Sequence, residues 1–155
     1  MTTARPTSAF RAAGFTLAEM LVVLAIIGLI AAIMLPALTA PSDGVRLRAI
    51  VDDVLGALRL TRAAAVIQHA EMTLVLDLEA RSMGSPVVSE KRFQRDLTAE
   101  MVIAEPERIA ASRGAFRFFP DGSSTGGDIH LHLRGRDAHV CISWLTGQAR
   151  EGAPC

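Results

Sequence analysis

His130, His132, His139 and Cys141 stand close together near the end of the chain, and imidazoles with a thiolate are the ligand set of a zinc site. On two strands joined by a tight turn they share one face, which satisfies the ligand count. Polar neighbours on a solvated strand face more often form plain surface, and a disulfide would remove the sulfur, so metal ligation is the lesser reading. A second candidate is Asp121, Gly122, Ser123, Ser124, Thr125, Gly126 and Gly127, preceded by Phe116, Phe118 and Phe119. Phosphate-cradling loops share this small-residue composition, but they use a lysine and open a helix. The chain's only lysine is Lys91, and this stretch leads into a strand pattern. A glycine-rich connection between strands fits better. Ser123 and Ser124 have no nucleophile-elbow context to pair with a histidine. No catalytic residue and no cofactor is assigned. The third candidate is Glu19, a carboxylate at the start of the apolar run Met20 to Leu38. Such a group is costly in hydrocarbon without a partner, unless it sits at headgroup level.

These residues depend on a simple succession of elements. Met1 to Ala13 carries Arg5 and Arg11 and no acid, and the apolar run follows with no Ala-x-Ala site beyond it, so this is not an ordinary secretory signal. The nineteen-residue run rises about 28 Å as a helix, close to a bilayer's ~30 Å hydrocarbon core. Arginines before the span keep that end cytoplasmic, which puts the rest of the chain outside, in the periplasm of a two-membrane cell. Pro36 and Pro41-Ser42-Asp43-Gly44 interrupt the helix. From Val45 to about Ala70, Leu47, Val51, Val54, Leu55 and Leu58 form one stripe, with Arg48, Asp52, Arg59 and Arg62 largely off it, and Asp43 is placed to cap the start.

The period then changes from 3.6 to 2: Met72, Leu74, Leu76 and Leu78 alternate with Thr73, Val75 and Asp77, as in a half-buried strand. A turn-rich stretch surrounds Ser82 to Pro86. Further strands are expected at 87–93, 101–104, 115–119, 128–134 and 138–145. The fold class is therefore α+β: a long N-terminal helix, membrane-spanning and then amphipathic, packed on an antiparallel sheet. The segments are 1–14 as leader, 15–38 as transmembrane helix, 39–70 as its amphipathic continuation and 71–155 as the β-rich domain. With Gly135-Arg136 as a two-residue turn, Leu133 faces Ala138, Leu131 faces Val140 and Ile129 faces Ile142. The opposite face carries Asp128, His130 and His132 against Ser143, Cys141 and His139.

The 155 residues leave about 110 beyond leader and span, enough for one domain. Lys plus Arg and Asp plus Glu number 16 each, so no overall field draws the chain to nucleic acid. The only two cysteines, Cys141 and Cys155, have one intramolecular pairing, worth about 3 kcal/mol in the chain-entropy model. Two free thiols are the alternative.

Gly14-Phe15-Thr16-Leu17-Ala18-Glu19 before the apolar run resembles the signal of prepilins and pseudopilins, the subunits of type IV pili and type II secretion systems. The resemblance implies cleavage after Gly14 by a prepilin peptidase, N-methylation at Phe15, and pairing of Glu19 with the new Phe15 amino group during assembly. The stretch from Phe116 through Asp-Gly-Ser-Ser-Thr-Gly-Gly into the alternating strand resembles the GspH/FimT family of minor pseudopilins and minor pilins. This implies a non-enzymatic minor pseudopilin of a type II secretion system, anchored in the inner membrane and built into a periplasmic pseudopilus, at its tip. Its partners would be major and minor pseudopilins, the peptidase and N-methyltransferase, the inner-membrane secretion platform and secreted substrate proteins, with loop Asp121 to Gly127 offered to them. The rivals are a minor pilin of a type IV pilus serving DNA uptake, and a metal-binding or enzymatic periplasmic domain on an uncleaved anchor. Residues 81–113 and the tail from Gly147 match nothing recognisable.

Overall fold

The structure is a computed structural model that describes residues 16–39 and 41–152, with side-chain burial described for 16–32 and 41–152. It divides into two units between the first and second helices.

Helix α1, Leu17–Thr39, is built almost wholly of Leu, Ile, Val, Ala and Met. Its first turn is closed by Thr16, whose Oγ1 accepts from the Glu19 amide at 3.2 Å. Thr16 and Glu19 thus stand at the spacing of a capping box, and the acid lies at the positive end of the helix dipole. The helix runs on past position 36 to Thr39, so Pro36 does not end it, and the interruption falls later, at Pro41-Ser42. One proline removes a single intrahelical bond, which a helix survives as a bend. Among the described residues no helix is long and apolar enough to cross a membrane. The described side chains take in only Met20 to Ala32 of the charge-free run, about 20 Å at 1.5 Å per residue.

Helix α2, Asp43–Gln68, is capped by Ser42, whose side chain accepts from the Val45 amide at 3.4 Å. The expected cap, Asp43, lies instead inside the first turn, because the extended backbone is at Ser42 (φ −61°, ψ 154°). The predicted stripe Leu47, Val51, Val54, Leu55 and Leu58 is buried, joined by Ile50, Ala57, Thr61 and Ala65. Thr61 satisfies its hydroxyl on the Ala57 carbonyl at 2.8 Å.

That stripe covers two antiparallel sheets. The first has the order β3-β2-β1-β6-β5, from β1 Met72–Asp77, β2 Ser82–Ser85, β3 Val88–Arg92, β5 Arg108–Ala110 and β6 Arg113–Phe118. The second has the order β4-β7-β8-β9, from β4 Leu97–Val102, β7 Gly127–Leu133, β8 Arg136–Ile142 and β9 Ala149–Glu151. Leu74, Leu76, Phe116 and Phe118 from the first sheet and Ile129, Leu131, Leu133, Val140 and Ile142 from the second join α2 in one core.

Several expectations are corrected. Ser82–Ser85 is a strand where a turn was expected, β4 starts at Leu97, β8 stops at Ile142, and β5 and β9 were not foreseen. The β7–β8 turn is Arg134-Gly135, both with positive φ (47° and 79°), the pattern of a type I′ turn. Leu133 therefore faces Arg136, Leu131 faces Ala138 and Ile129 faces Val140, a two-residue shift from the predicted pairing. Because side chains alternate with period 2, a shift of two keeps every residue on its predicted face.

Candidate assembly surfaces

Most of the described side chains of α1 are exposed. Leu17, Met20, Leu21, Val22, Val23, Leu24, Ile26, Ile27, Leu29 and Ile30 are all exposed, from 45% at Val23 to 80% at Leu17. A helix apolar on every side needs lipid or other helices around it. Glu19 is the one charge in it and is exposed at its start. Gly14 and Phe15, the predicted cleavage and methylation positions, lie outside the described residues.

The loop Asp121 to Gly127 is mostly interior. Gly122, Ser124 and Gly126 are buried, and only Asp121 is fully exposed. Asp121 Oδ1 accepts from the Ser123 hydroxyl at 2.6 Å and from the Ser123 amide at 2.9 Å. These two bonds hold the Asp121 carboxyl below its ordinary value by favouring the charged form. Ser124 donates to the Ser143 carbonyl at 3.0 Å and accepts from the Gly126 amide at 3.1 Å. Gly127 has φ +140°, and a Cβ there would meet the Val102 carbonyl oxygen at 2.4 Å, so only glycine fits.

Sequence reasoning missed what anchors this loop. Arg62 on α2, expected merely to point away from the core stripe, places Nε 2.9 Å from the carbonyl oxygens of both Gly122 and Thr146. The turn from Ser143 to Gln148 is thereby fixed beside the loop, closed by the Gly147 amide on the Ser143 carbonyl at 2.8 Å. It presents Trp144 and Leu145, 67% and 65% exposed. Large apolar side chains held outward on a rigid turn are typical interface anchors. The signal was the lone tryptophan in a polar setting.

The histidine face differs from expectation. His130 lies opposite His139 and stacks on it, ring centroids 4.4 Å apart. His132 Nδ1 is 2.6 Å from Asp137 Oδ1, and its Nε2 accepts from the Gly135 amide at 3.4 Å. The side chain of His139 is only 15% exposed, so this face is not simply solvated. Among the described residues no group of three or more metal-ligating side chains is placed to hold an ion. Cys141 is buried opposite Asp128, and Cys155 lies outside the described residues.

Comparison with known proteins decides the family. The model described as type II transport protein GspH matches residues 51–147, more than half the chain. The chain belongs to the GspH family. The prokaryotic N-terminal methylation motif matches residues 10–35. The type II secretion system protein H of Xanthomonas campestris pv. campestris is 32% identical over 139 residues, 90% of this chain and 82% of that protein. The fold is shared with the minor pseudopilin EpsH of Vibrio cholerae (TM-score 0.54, 13% identity, 68% of this chain and 95% of that one). It is shared equally with the type IV minor pilin FimU of Pseudomonas aeruginosa (TM-score 0.53, 15% identity, 70% and 89%). Fold alone therefore does not separate secretion from pilus; the sequence relative does. The family model and the sequence relative both place this chain with the type II secretion proteins.

Proposed function

We propose that this chain is a minor pseudopilin, anchored in the inner membrane by residues 15–38, that loses residues 1–14 by cleavage after Gly14 and carries a methylated Phe15. Residues 39–70 and 71–155 then form the periplasmic part, and the mature subunit assembles at the tip of a pseudopilus that drives export of folded proteins across the outer membrane. The role is structural rather than catalytic. The observation that carries this reading is the exposed apolar surface of α1 with Glu19 as its single charge.

In a helical bundle the acid must be neutralised, and the cationic amino group of a mature Phe15 is its partner, in the same subunit or its neighbour. A desolvated pair is sensitive to register and so sets the stagger between subunits. Ala25, Gly28, Ala31 and Ala32 permit close helix approach. Other major and minor pseudopilins, the secretion platform and secreted substrates are the partners, met through α1 and through the exposed Asp121 and its neighbouring Trp144 and Leu145. A Cys141–Cys155 bridge ties down the tail.

Glu19→Ala tests the reading. The variant is expected to insert in the membrane at the normal level while exoprotein release and crosslinking to other pseudopilins fall sharply. Unchanged release by the variant contradicts the proposed pairing.

A further inference from the structure

Strands β3 and β5 edge the first sheet, and β4 and β9 edge the second. An edge strand offers unpaired backbone donors and acceptors, which proteins blunt by shortness, bulges or charge. β5 and β9 are only three residues long. β3 carries Glu90-Lys91-Arg92 in succession, and its pairing with β2 shifts register. β4 has none of these defences. It runs six residues, Leu97–Val102, with Glu100 as its only charge, and pairs with β7 in one unbroken register.

The backbone direction shows which groups the open side presents. The Val102 carbonyl oxygen faces β7, close against Gly127. Backbone groups alternate sides along an antiparallel strand, so Glu100 and Thr98 also turn theirs to β7. Ala99 and Met101 turn theirs outward, as does Leu97, whose amide is taken by the Gln94 carbonyl at 3.2 Å on the side away from β7. Among the described residues no strand pairs with β4 on that side. The side chains of Thr98, Glu100 and Val102 are exposed, and Glu100 makes no ion pair among the described residues.

We propose that the open edge of β4 is a strand-addition site for an extended basic segment of a partner protein, bonded antiparallel through the main chain of Ala99 and Met101 and selected by Glu100. Strand addition takes its affinity from main-chain bonds and its specificity from alternate side chains. Charge decides the occupant. A second copy of β4 pairing through the same groups, whether centred on Ala99, on Met101 or between them, sets the two Glu100 side chains opposite or diagonal on one face. Like charges so placed repel, whereas a Lys or Arg opposite Glu100, flanked by β-branched residues beside Thr98 and Val102, makes favourable cross-strand pairs.

The test follows amide exchange in the 15N-labelled full-length protein in detergent micelles. The probe is the peptide Thr-Val-Thr-Val-Lys-Val-Thr, acetylated and amidated. Without it, the Ala99 and Met101 amides should exchange about tenfold or more faster than the Glu100 amide that β7 protects, and saturating peptide should slow them by about tenfold, the scale of one hydrogen bond each. The same peptide with Glu in place of Lys, or N-methylated at the valines opposite Ala99 and Met101, should have no such effect. Ala99→Pro removes only an outward N–H, which an edge strand tolerates. It should keep the Glu100 amide protected yet abolish the peptide's effect on Met101. Glu100→Lys should reverse the preference in favour of the Glu peptide. The proposal is overturned if the Lys peptide slows neither amide, if both peptides act equally on the wild type, or if the free protein already protects Ala99 in proportion to its own concentration, which would assign the edge to a second copy.

Discussion

The guanidinium of Arg117 closes on the buried carboxylate of Glu107: Nε donates to Oε1 at 2.9 Å, and the Glu107 side chain is only 6% exposed. The same guanidinium holds Glu71 at 2.8 Å. The hydrogen bond to Glu107, followed by that to Glu71, lifts Arg117 above the ordinary arginine range. The Glu105–Glu107 turn is thus pinned to β6, which lies between β1 and β5 in the first sheet.

Arg117→Leu leaves Glu107 buried without its donor. The expected loss is about 2 kcal/mol, the desolvation cost of one unsatisfied charged group, discounted because Arg117 itself is partly exposed. Urea unfolding checks it as a lowered midpoint with unchanged slope. An unchanged midpoint would mean that water replaces the arginine.

Arg62 joins α2 to the Gly122 and Thr146 carbonyls. One Nε–H is shared by both carbonyls, and at that position along its side chain a lysine carries a methylene with no donor. Arg62→Lys should therefore free the Ser143 to Gln148 turn, at a cost of about 1 kcal/mol. The single tryptophan, Trp144, reports this directly: its fluorescence anisotropy should fall while the far-ultraviolet circular dichroism stays the same. Undiminished anisotropy would show that the Ser124 contacts suffice to hold the turn.

Much of this was legible in the sequence. The α2 stripe from Leu47 to Leu58, the alternation in Met72 to Leu78 and the apolar face of β7 and β8 each repeat over several residues, so periodicity reveals them. Ser82–Ser85 hides because Ser-Met-Gly-Ser has turn composition and owes its strand state to pairing with β1. The β7–β8 register was missed because Arg134 takes a positive φ that an arginine gives no reason to expect. Arg62 could not be read as an anchor, since its two carbonyl partners lie 60 and 84 residues away. The histidines were legible as a shared face but not as separate pairs, because a shifted register changes partners without changing faces.

Asp121 gives a pH prediction with a definite sign. Its folded-state value is depressed by the Ser123 hydroxyl and amide bonds. The stabilisation is therefore fully present above the ordinary aspartate value and is lost as pH falls through the lower, folded one. The Ser123 amide resonance should shift in that acidic window, and Asp121→Asn should abolish the transition. A Ser123 amide that titrates identically in the variant would assign the effect elsewhere.

The most direct measurement is the intact mass and N-terminal fragment spectrum of the protein recovered from secretion-competent cells. The account predicts a chain that begins at Phe15 and carries one added methyl group on its amino terminus. A chain that still begins at Met1 would leave Glu19 without the cationic partner assigned to it and would contradict the account.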